Sequence, residues 1–350
     1  MRKFTPRLAA PAAISAPFAV QHDLLRHKPD LVFVEFAVND FHTPPERIWP
    51  AMEGIVRQIW AADPRTDICF VYTLVQKMTE ILIEGECPSS ISADEMLAEH
   101  YGIPSINVAL RIAELAAEGK LIVQPDAGVS AEDAAAQAAA DGKILFSQDG
   151  CHPLEAGHAI YTEVIAAAIE QMQASKPINH AEKLSEPFVE NHWQAAQFVP
   201  IEPAMLTGSW RPLPPDAELS EKFANRLGTI YEAVEPGDKL TIRFRGSLVK
   251  LYDLLGPDGG QVMITVDGKT RGPVPRFDSF CTYHRLATLH LAANLDPQAV
   301  HELTVELLAA QPDRSVVTDK IKDQPDFDPQ KYDGTRLRVG GVLILGELVE

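Results

Sequence analysis

Short apolar runs alternate with helix-spaced apolar positions through the first half of the chain. Leu31-Val32-Phe33-Val34-Glu35-Phe36 follows Pro29-Asp30 and reads as a buried strand. From about Glu46 to Ala62, Ile48, Met52, Ile55, Val56 and Ile59 fall on one helical face. Asp67 to Leu74 is the next strand. Ser92-Ala93-Asp94-Glu95 reads as a capping box opening a helix to Tyr101, which Gly102 closes. Pro104-Ser105-Ile106-Asn107-Val108 is a short strand, and Leu110 to Glu118 is helical up to Gly119. Ser130-Ala131-Glu132-Asp133 caps a helix through Ala140, and Lys143 to Phe146 is a last short apolar run. Leu154 to about Ala174 then presents Ile160, Val164, Ile165, Ala168, Ile169 and Met172 as one stripe. Such alternation is the mark of βαβ units around a parallel sheet.

The period changes after Ser175. Residues 176–200 are polar and irregular and read as a connecting segment. Beyond them the spacing falls to two: Leu240-Thr241-Ile242-Arg243-Phe244, an interruption at Gly246, then Leu248 to Leu254. Gly256-Pro257-Asp258-Gly259-Gly260 marks a turn, and Val262 to Val266 runs into the hairpin signal Asp267-Gly268. Leu303 to Leu307 and Val342 to Leu345 supply further strands. The expected organisation is an α/β domain over 1–175, a linker over 176–200, and an all-β sandwich over 201–350.

A length of 350 residues fits two cores better than one. No apolar run is long enough to span a bilayer, so a membrane-embedded reading is set aside. The net charge of −18 opposes binding to a phosphate backbone, so no nucleic-acid partner is expected. Cys69, Cys87, Cys151 and Cys281 lack short CxxC spacing, no His/Asp/Glu cluster has metal-ligand spacing, and no Gly-rich loop is placed to cradle phosphate. Neither metal nor cofactor is implied. Met1-Arg2-Lys3 and the Ala-rich stretch to Val20 faintly resemble a signal peptide, but Pro6, Arg7, Pro11 and Pro17 break its apolar part.

Two segments carry candidate chemistry. Phe36-Ala37-Val38-Asn39-Asp40 places an Asn beyond the end of a strand, where its side-chain N–H can donate to a developing oxyanion. Asp149-Gly150-Cys151-His152-Pro153 places a carboxylate three residues before an imidazole, close enough to turn back and fix its tautomer. Alone, each is as compatible with an ordinary surface turn. Their order, each after a strand, gives them weight.

Together these segments resemble two of the four signature blocks of the SGNH (GDSL-type) hydrolases, which are esterases and deacylases. The resemblance extends over roughly residues 20–175, through Pro29 to Phe36, Ile103 to Asn107, Phe146 to Gly150, and Gly157-His158. It implies a flavodoxin-like parallel sheet with helices on both faces. It also implies Asn39 as oxyanion donor, His152 as general base and Asp149 as its orienting carboxylate. Two blocks have no counterpart. No Gly-Asp-Ser occurs in the sequence, and the stretch expected to hold the glycine block, Ala12-Ala13-Ile14-Ser15-Ala16-Pro17, has no Gly. Ser15 lies on the wrong side of the motif order to be the nucleophile. Ser147 reads as a loop-capping hydroxyl, and Cys151, adjacent to His152, diverges from it. The chain thus resembles an SGNH hydrolase whose first strand, first helix and glycine loop are lost or were never included.

The all-β half is similar to jelly-roll-like accessory modules of carbohydrate esterases. The resemblance therefore implies a carbohydrate O-deacetylase plan, inactive as given for want of its serine, with an acylated carbohydrate or other small ester as substrate. It also implies a secreted or periplasmic location. The rival reading is a non-catalytic two-domain carbohydrate-binding protein or a truncated gene product. Trp210, Tyr252, Phe277, Phe280 and Tyr283 are candidates for a sugar-stacking platform, although aromatics in a sandwich are mostly core. Arg243, Arg245 and Arg276 are expected on solvated polar faces. Losing a first strand would leave the Leu31–Phe36 strand with an open edge, and self-association through that edge is expected.

Overall fold

The computed structural model describes residues 15–172 and 178–349. Residues 1–14 of the signal-like start, which include Ala12, Ala13 and Ile14 of the glycine-free stretch, lie outside them. The chain divides into two compact units, Met1–Gln194 and Ala195–Glu350.

In the first unit α1 (Pro17–Ala19) and two further short turns lead into β1 (Leu31–Val34). Then come α2 (Pro45–Ala62), β2 (Asp67–Tyr72), α3 (Gln76–Ile83), α4 (Ser89–Tyr101) and β3 (Ser105–Asn107). They are followed by α5 (Val108–Ala117), β4 (Leu121–Ile122), α6 (Ala131–Ala140), β5 (Ile144–Leu145) and α7 (Glu155–Met172). β1, β2 and β3 form a parallel sheet in that order, and β4 and β5 pair in parallel separately. Ser130 caps α6 as expected, its hydroxyl accepting from the Asp133 N–H at 3.1 Å. The capping box expected at Ser92 is not a helix start. α4 begins a turn earlier, behind Pro88, whose missing N–H costs nothing at that position.

Side-chain parity decides what covers the sheet. Val32 and Val34 share a face with Ile68, Phe70 and Tyr72 and pack into the core formed with α2 and α4. On the opposite face α7 lays Tyr161, Val164, Ile165, Ala168 and Met172 over Cys69, Val71 and Ile106. β2 is buried on both faces. β1 is not: Leu31 and Phe33, on the α7 face, are 39% and 45% exposed. The strand read as buried is therefore buried on one face only, because α7 stops at β2.

The segment expected to be a linker has a different fate. Its first part is clamped to α2. The fully buried Glu53 accepts the N–H groups of Phe188 (2.7 Å) and Val189 (2.8 Å) and the Tyr101 hydroxyl (2.5 Å). Arg57 donates to Gln194 Oε1 (2.8 Å) and the Leu184 carbonyl (3.0 Å). His180 stacks on Trp60 with ring centroids 4.5 Å apart. Its last part, β6 (Ala196–Pro200), is a strand of the second unit.

The second unit is antiparallel. After β6 come β7 (Leu206–Thr207), β8 (Arg211–Pro212), α8 (Glu218–Leu227), β9 (Tyr231–Ala233) and β10 (Lys239–Leu255). β11 (Gln261–Val266), β12 (Lys269–Pro275), β13 (Arg285–Ala292), β14 (Val300–Leu307), α9 (Ser315–Ile321) and β15 (Leu337–Leu348) complete it. β10 pairs with β14 through residues 239–245 and with β13 through 249–255, and so belongs to both layers of the sandwich. The break expected at Gly246 is a register shift against β15 inside this one strand. Leu240, Ile242, Phe244, Val249 and Leu251 of β10 meet Val262, Ile264, Leu303, Val305, Val342 and Ile344 in the core. Asp267 and Gly268 turn the β11–β12 hairpin with φ of 49° and 77°, the geometry their sequence announces.

Candidate active site

The loop between β5 and α7 is built from its own side chains. Ser147 and Pro153 bridge its two ends. The buried Ser147 hydroxyl donates to Asp149 Oδ1 (2.9 Å) and accepts the N–H of Gly150 (3.0 Å). Asp149 Oδ1 also accepts the N–H groups of Cys151 (2.9 Å) and His152 (2.8 Å). Its other oxygen, Oδ2, lies 2.6 Å from His152 Nδ1. Gly150 takes φ +78°, and a Cβ there would come within 2.6 Å of Gln124 Oε1, so the turn requires glycine. Its carbonyl accepts the Gln76 N–H at 2.7 Å, which ties the loop to the turn after β2.

This arrangement fixes the imidazole. With Nδ1–H donated to Asp149, Nε2 carries the lone pair and faces outward, on a side chain that is 85% exposed. The hydrogen bond from His152, reinforced by the backbone N–H groups of His152 and Cys151, holds the Asp149 carboxyl well below the usual carboxylate range. The neighbouring Cys151 thiol is pushed up, first by burial and then by the charges of Asp149 and Glu35, so it is not a poised thiolate.

Asn39 lies in the turn after β1, which is closed by the Asp40 N–H donating to the Phe36 carbonyl (2.8 Å), and its side chain is exposed. Glu35 links that turn to the His152 loop's support. It accepts the Thr73 hydroxyl at 2.8 Å and backbone N–H groups of Ala37, Val38 and Thr73. Burial raises the Glu35 carboxyl despite those bonds. The Tyr161 hydroxyl accepts the Leu74 N–H at 3.2 Å from the α7 side. Asp149 and His152 are thus joined directly. Asn39 flanks the same C-terminal end of the sheet without a direct bond to them. Glu35 and Thr73 escaped the sequence reading, although a carboxylate inside an apolar run was a signal for them. Ser15 is described and buried. Among the described residues no group of three or more His, Cys, Asp or Glu side chains is arranged to hold a metal ion.

No protein-family model and no curated protein sequence matches the chain. Among solved structures it is similar to a two-domain esterase (CEX) active on acetylated mannans, known free and co-crystallized with mannopentaose. That similarity has 16% identity and a TM-score of 0.67 over 97% of this chain and 78% of the other. A GDSL-like lipase from Bacteroides thetaiotaomicron is 16% identical over 46% of this chain and 72% of its own, with a TM-score of 0.31. The chain shares the two-domain fold of that esterase, an α/β domain followed by an antiparallel β domain. In open α/β folds ligands bind beyond the carboxyl ends of the strands. In the first unit that end carries the Asn39 turn and the Asp149–His152 loop.

The aromatic candidates of the second unit separate cleanly. Phe277 is buried, with Tyr332 edge-on to it. Trp210 is half-buried and donates to the Lys239 carbonyl (3.1 Å), and Tyr252 is half-buried against Phe198. Phe280 and Tyr283 are 67% and 54% exposed. Their loop is pinned by Asp278, which accepts the Phe280 N–H (2.9 Å) and pairs with Arg285. Arg276 departs from its expected solvated face. It is buried and donates to both oxygens of buried Asp253, at 2.7 and 2.8 Å, since a guanidinium can enter a core when a carboxylate matches its fork. Arg243 and Arg245 lie on the exposed side of β10 or half-exposed, Arg245 paired with Glu347 at 2.9 Å.

Proposed function

We propose that this chain follows the plan of a carbohydrate O-deacetylase. His152 is the general base, Asp149 the carboxylate that orients it, and Asn39 a donor to the oxyanion. The observation that carries the reading is the 2.6 Å Asp149–His152 clamp with its outward-facing ring. In such a site Nε2 takes the proton of an attacking hydroxyl and returns it to the leaving sugar alcohol, while Asn39 donates to the oxygen that gains charge. The fold shared with an esterase active on acetylated mannans supports an acetylated carbohydrate as the substrate class. The 350 residues contain no Gly-Asp-Ser, so none of them matches the block that supplies the attacking hydroxyl in the hydrolases the chain resembles.

The second reading is a carbohydrate-binding protein without turnover. The exposed aromatic pair Phe280 and Tyr283, on a loop held rigid by Asp278, favours it. One experiment addresses both readings: acetate release from p-nitrophenyl acetate and from acetylated manno-oligosaccharide, with binding of the oligosaccharide measured in parallel. Turnover barely above a His152→Ala control, with measurable binding, is the expected result. Robust His152-dependent turnover would show that a nucleophile is present and make Ser15→Ala the next variant. Absence of both binding and turnover would sink the carbohydrate assignment.

A further inference from the structure

In the second unit, among the described residues, β12 pairs with β11 alone and β13 with β10 alone. Between the β11–β12 hairpin and the end of β13 lies a cleft of about 270 Å³. Val266, Leu291, Ala292 and Leu295 give it an aliphatic floor that packs on the core of the unit. Where β13 runs out, Ala292 and Ala293 supply only methyl groups, so space that larger side chains would fill stays open. The rim carries Lys269 and Arg271, both exposed.

The charged groups at this rim differ in what they have left to offer. Asp267 lines the cleft, but both of its oxygens are engaged: Oδ2 lies 2.7 Å from His301 Nδ1, and Oδ1 accepts the Glu302 N–H at 3.0 Å. Asp296, next to Leu295, accepts the Gln298 N–H at 2.9 Å. One amino group of Arg271 is anchored on the His290 and Leu291 carbonyls of β13. Its other donors and the Lys269 ammonium make no hydrogen bond among the described residues, and Lys269 acts on Asp267 through space only. The cleft thus presents unused cationic donors over an aliphatic floor, and its one lining carboxylate is already taken.

We propose that this cleft binds a sugar acid: a hexuronate, with its carboxylate on Lys269 and Arg271 and the C–H face of its ring on Val266, Ala292 and Leu295. A carboxylate is the group whose two oxygens answer a guanidinium and an ammonium together. Volume limits the ligand to a single ring, since the cleft falls just below the roughly 300 Å³ at which sites for drug-sized ligands begin. Acetate would leave the floor uncovered, and a neutral sugar would leave both cations unanswered. The cleft shares no residue with the His152 loop or with the Phe280 and Tyr283 loop, and the inference stands whether or not the first unit deacetylates.

The test is an NMR titration of the full chain with D-glucuronate. Methyl β-D-glucoside serves as the ring without the charge, and acetate as the charge without the ring. The expected result is saturable binding of glucuronate, with amide shifts confined to residues 266–271 and 290–295. Lys269→Gln should weaken it about fivefold, the size of one exposed ion pair, and methyl glucoside, which loses both pairs, should bind about twentyfold more weakly or worse. Ala293→Leu fills the cleft and should abolish binding, with both variants keeping the wild-type melting temperature. Raising salt from about 0.01 M to 1 M should weaken the wild type, because the Debye length falls from about 30 Å to 3 Å. Absence of saturation, equal affinity for methyl glucoside or acetate, shifts centred on Phe280 and Tyr283, or an affinity that neither variant alters would each overturn the inference. Acetate release, whatever its rate, moves none of these readouts, so the deacetylase reading and this one fail separately.

Discussion

Replacing Asp149 by Asn tests the clamp at its most informative atom. Asp149 accepts from the Ser147 hydroxyl and the Cys151 and His152 N–H groups through one oxygen, and from His152 Nδ1 through the other. An Asn that keeps its oxygen on the backbone donors must turn its NH2 group toward Nδ1. The ring then does better with a lone pair on Nδ1 and its proton on Nε2, which removes the basic nitrogen from the outward side. The two side chains are 85% and 54% exposed, so the clamp contributes about 1 kcal/mol or less rather than the value of a buried pair. About 1 kcal/mol is roughly fivefold in the tautomer ratio. Nitrogen-15 NMR of the ring, above the ordinary imidazole titration range, should show Nδ1–H dominant in the wild type and Nε2–H favoured in Asp149→Asn. Stability gives a second reading. A carboxyl held below its ordinary range adds stability that is present above about pH 4, its unfolded value, and is lost as pH falls toward the folded one. Asn has no such dependence, so the gap between wild type and variant in urea unfolding should close in acid. An unchanged tautomer ratio, or a gap constant with pH, would refute the role given to Asp149.

Glu53→Ala should destabilise the first unit by about 3–5 kcal/mol, since it strips the acceptor from two backbone N–H groups, a tyrosine hydroxyl and Arg57 at a fully buried position. Denaturant unfolding measures it, and a loss below about 1 kcal/mol would mean that residues 180–194 are not clamped to α2. Phe280→Ala and Tyr283→Ala should each weaken oligosaccharide binding by about fivefold, about 1 kcal/mol of lost ring contact, with no change in melting temperature. Calorimetric titration of the full chain is the check, and unaltered affinity in both variants would remove the platform.

What was legible in the sequence was legible for local reasons. The Asp149–His152 loop closes on its own side chains, so spacing alone announces it. Ser130 and Asp267-Gly268 act within a few residues of themselves and were readable in the same way. What stayed hidden depends on partners distant in the chain. Leu31 and Phe33 look as apolar as Val32 and Val34, and only the reach of α7 separates the exposed pair from the buried one. Residues 180–194 look polar enough to be a linker because their binding groups are backbone N–H groups and carbonyls, which are answered by Glu53 and Arg57 more than a hundred positions away. Arg276 reads as a surface residue until Asp253, on another strand, is seen to match it.

The clamp bears on function independently of any nucleophile. Every contact that orients His152 comes from residues 147–152, and the loop is seated on the sheet through Gly150 and Gln76. None of these contacts involves a nucleophile. The loop would therefore fold the same way with a serine in front of Nε2 or without one, and its geometry is no measure of turnover. The exposure of the ring is more telling. A histidine kept for structure usually has both nitrogens engaged, as His301 does with Asp267 and the Asp296 carbonyl at 2.7 and 2.9 Å. At His152 one nitrogen is fixed and the other faces outward, an arrangement that leaves a base ready for a proton from outside the loop. The wild-type ring tautomer is accordingly the measurement in which the intact clamp will show, whatever the turnover.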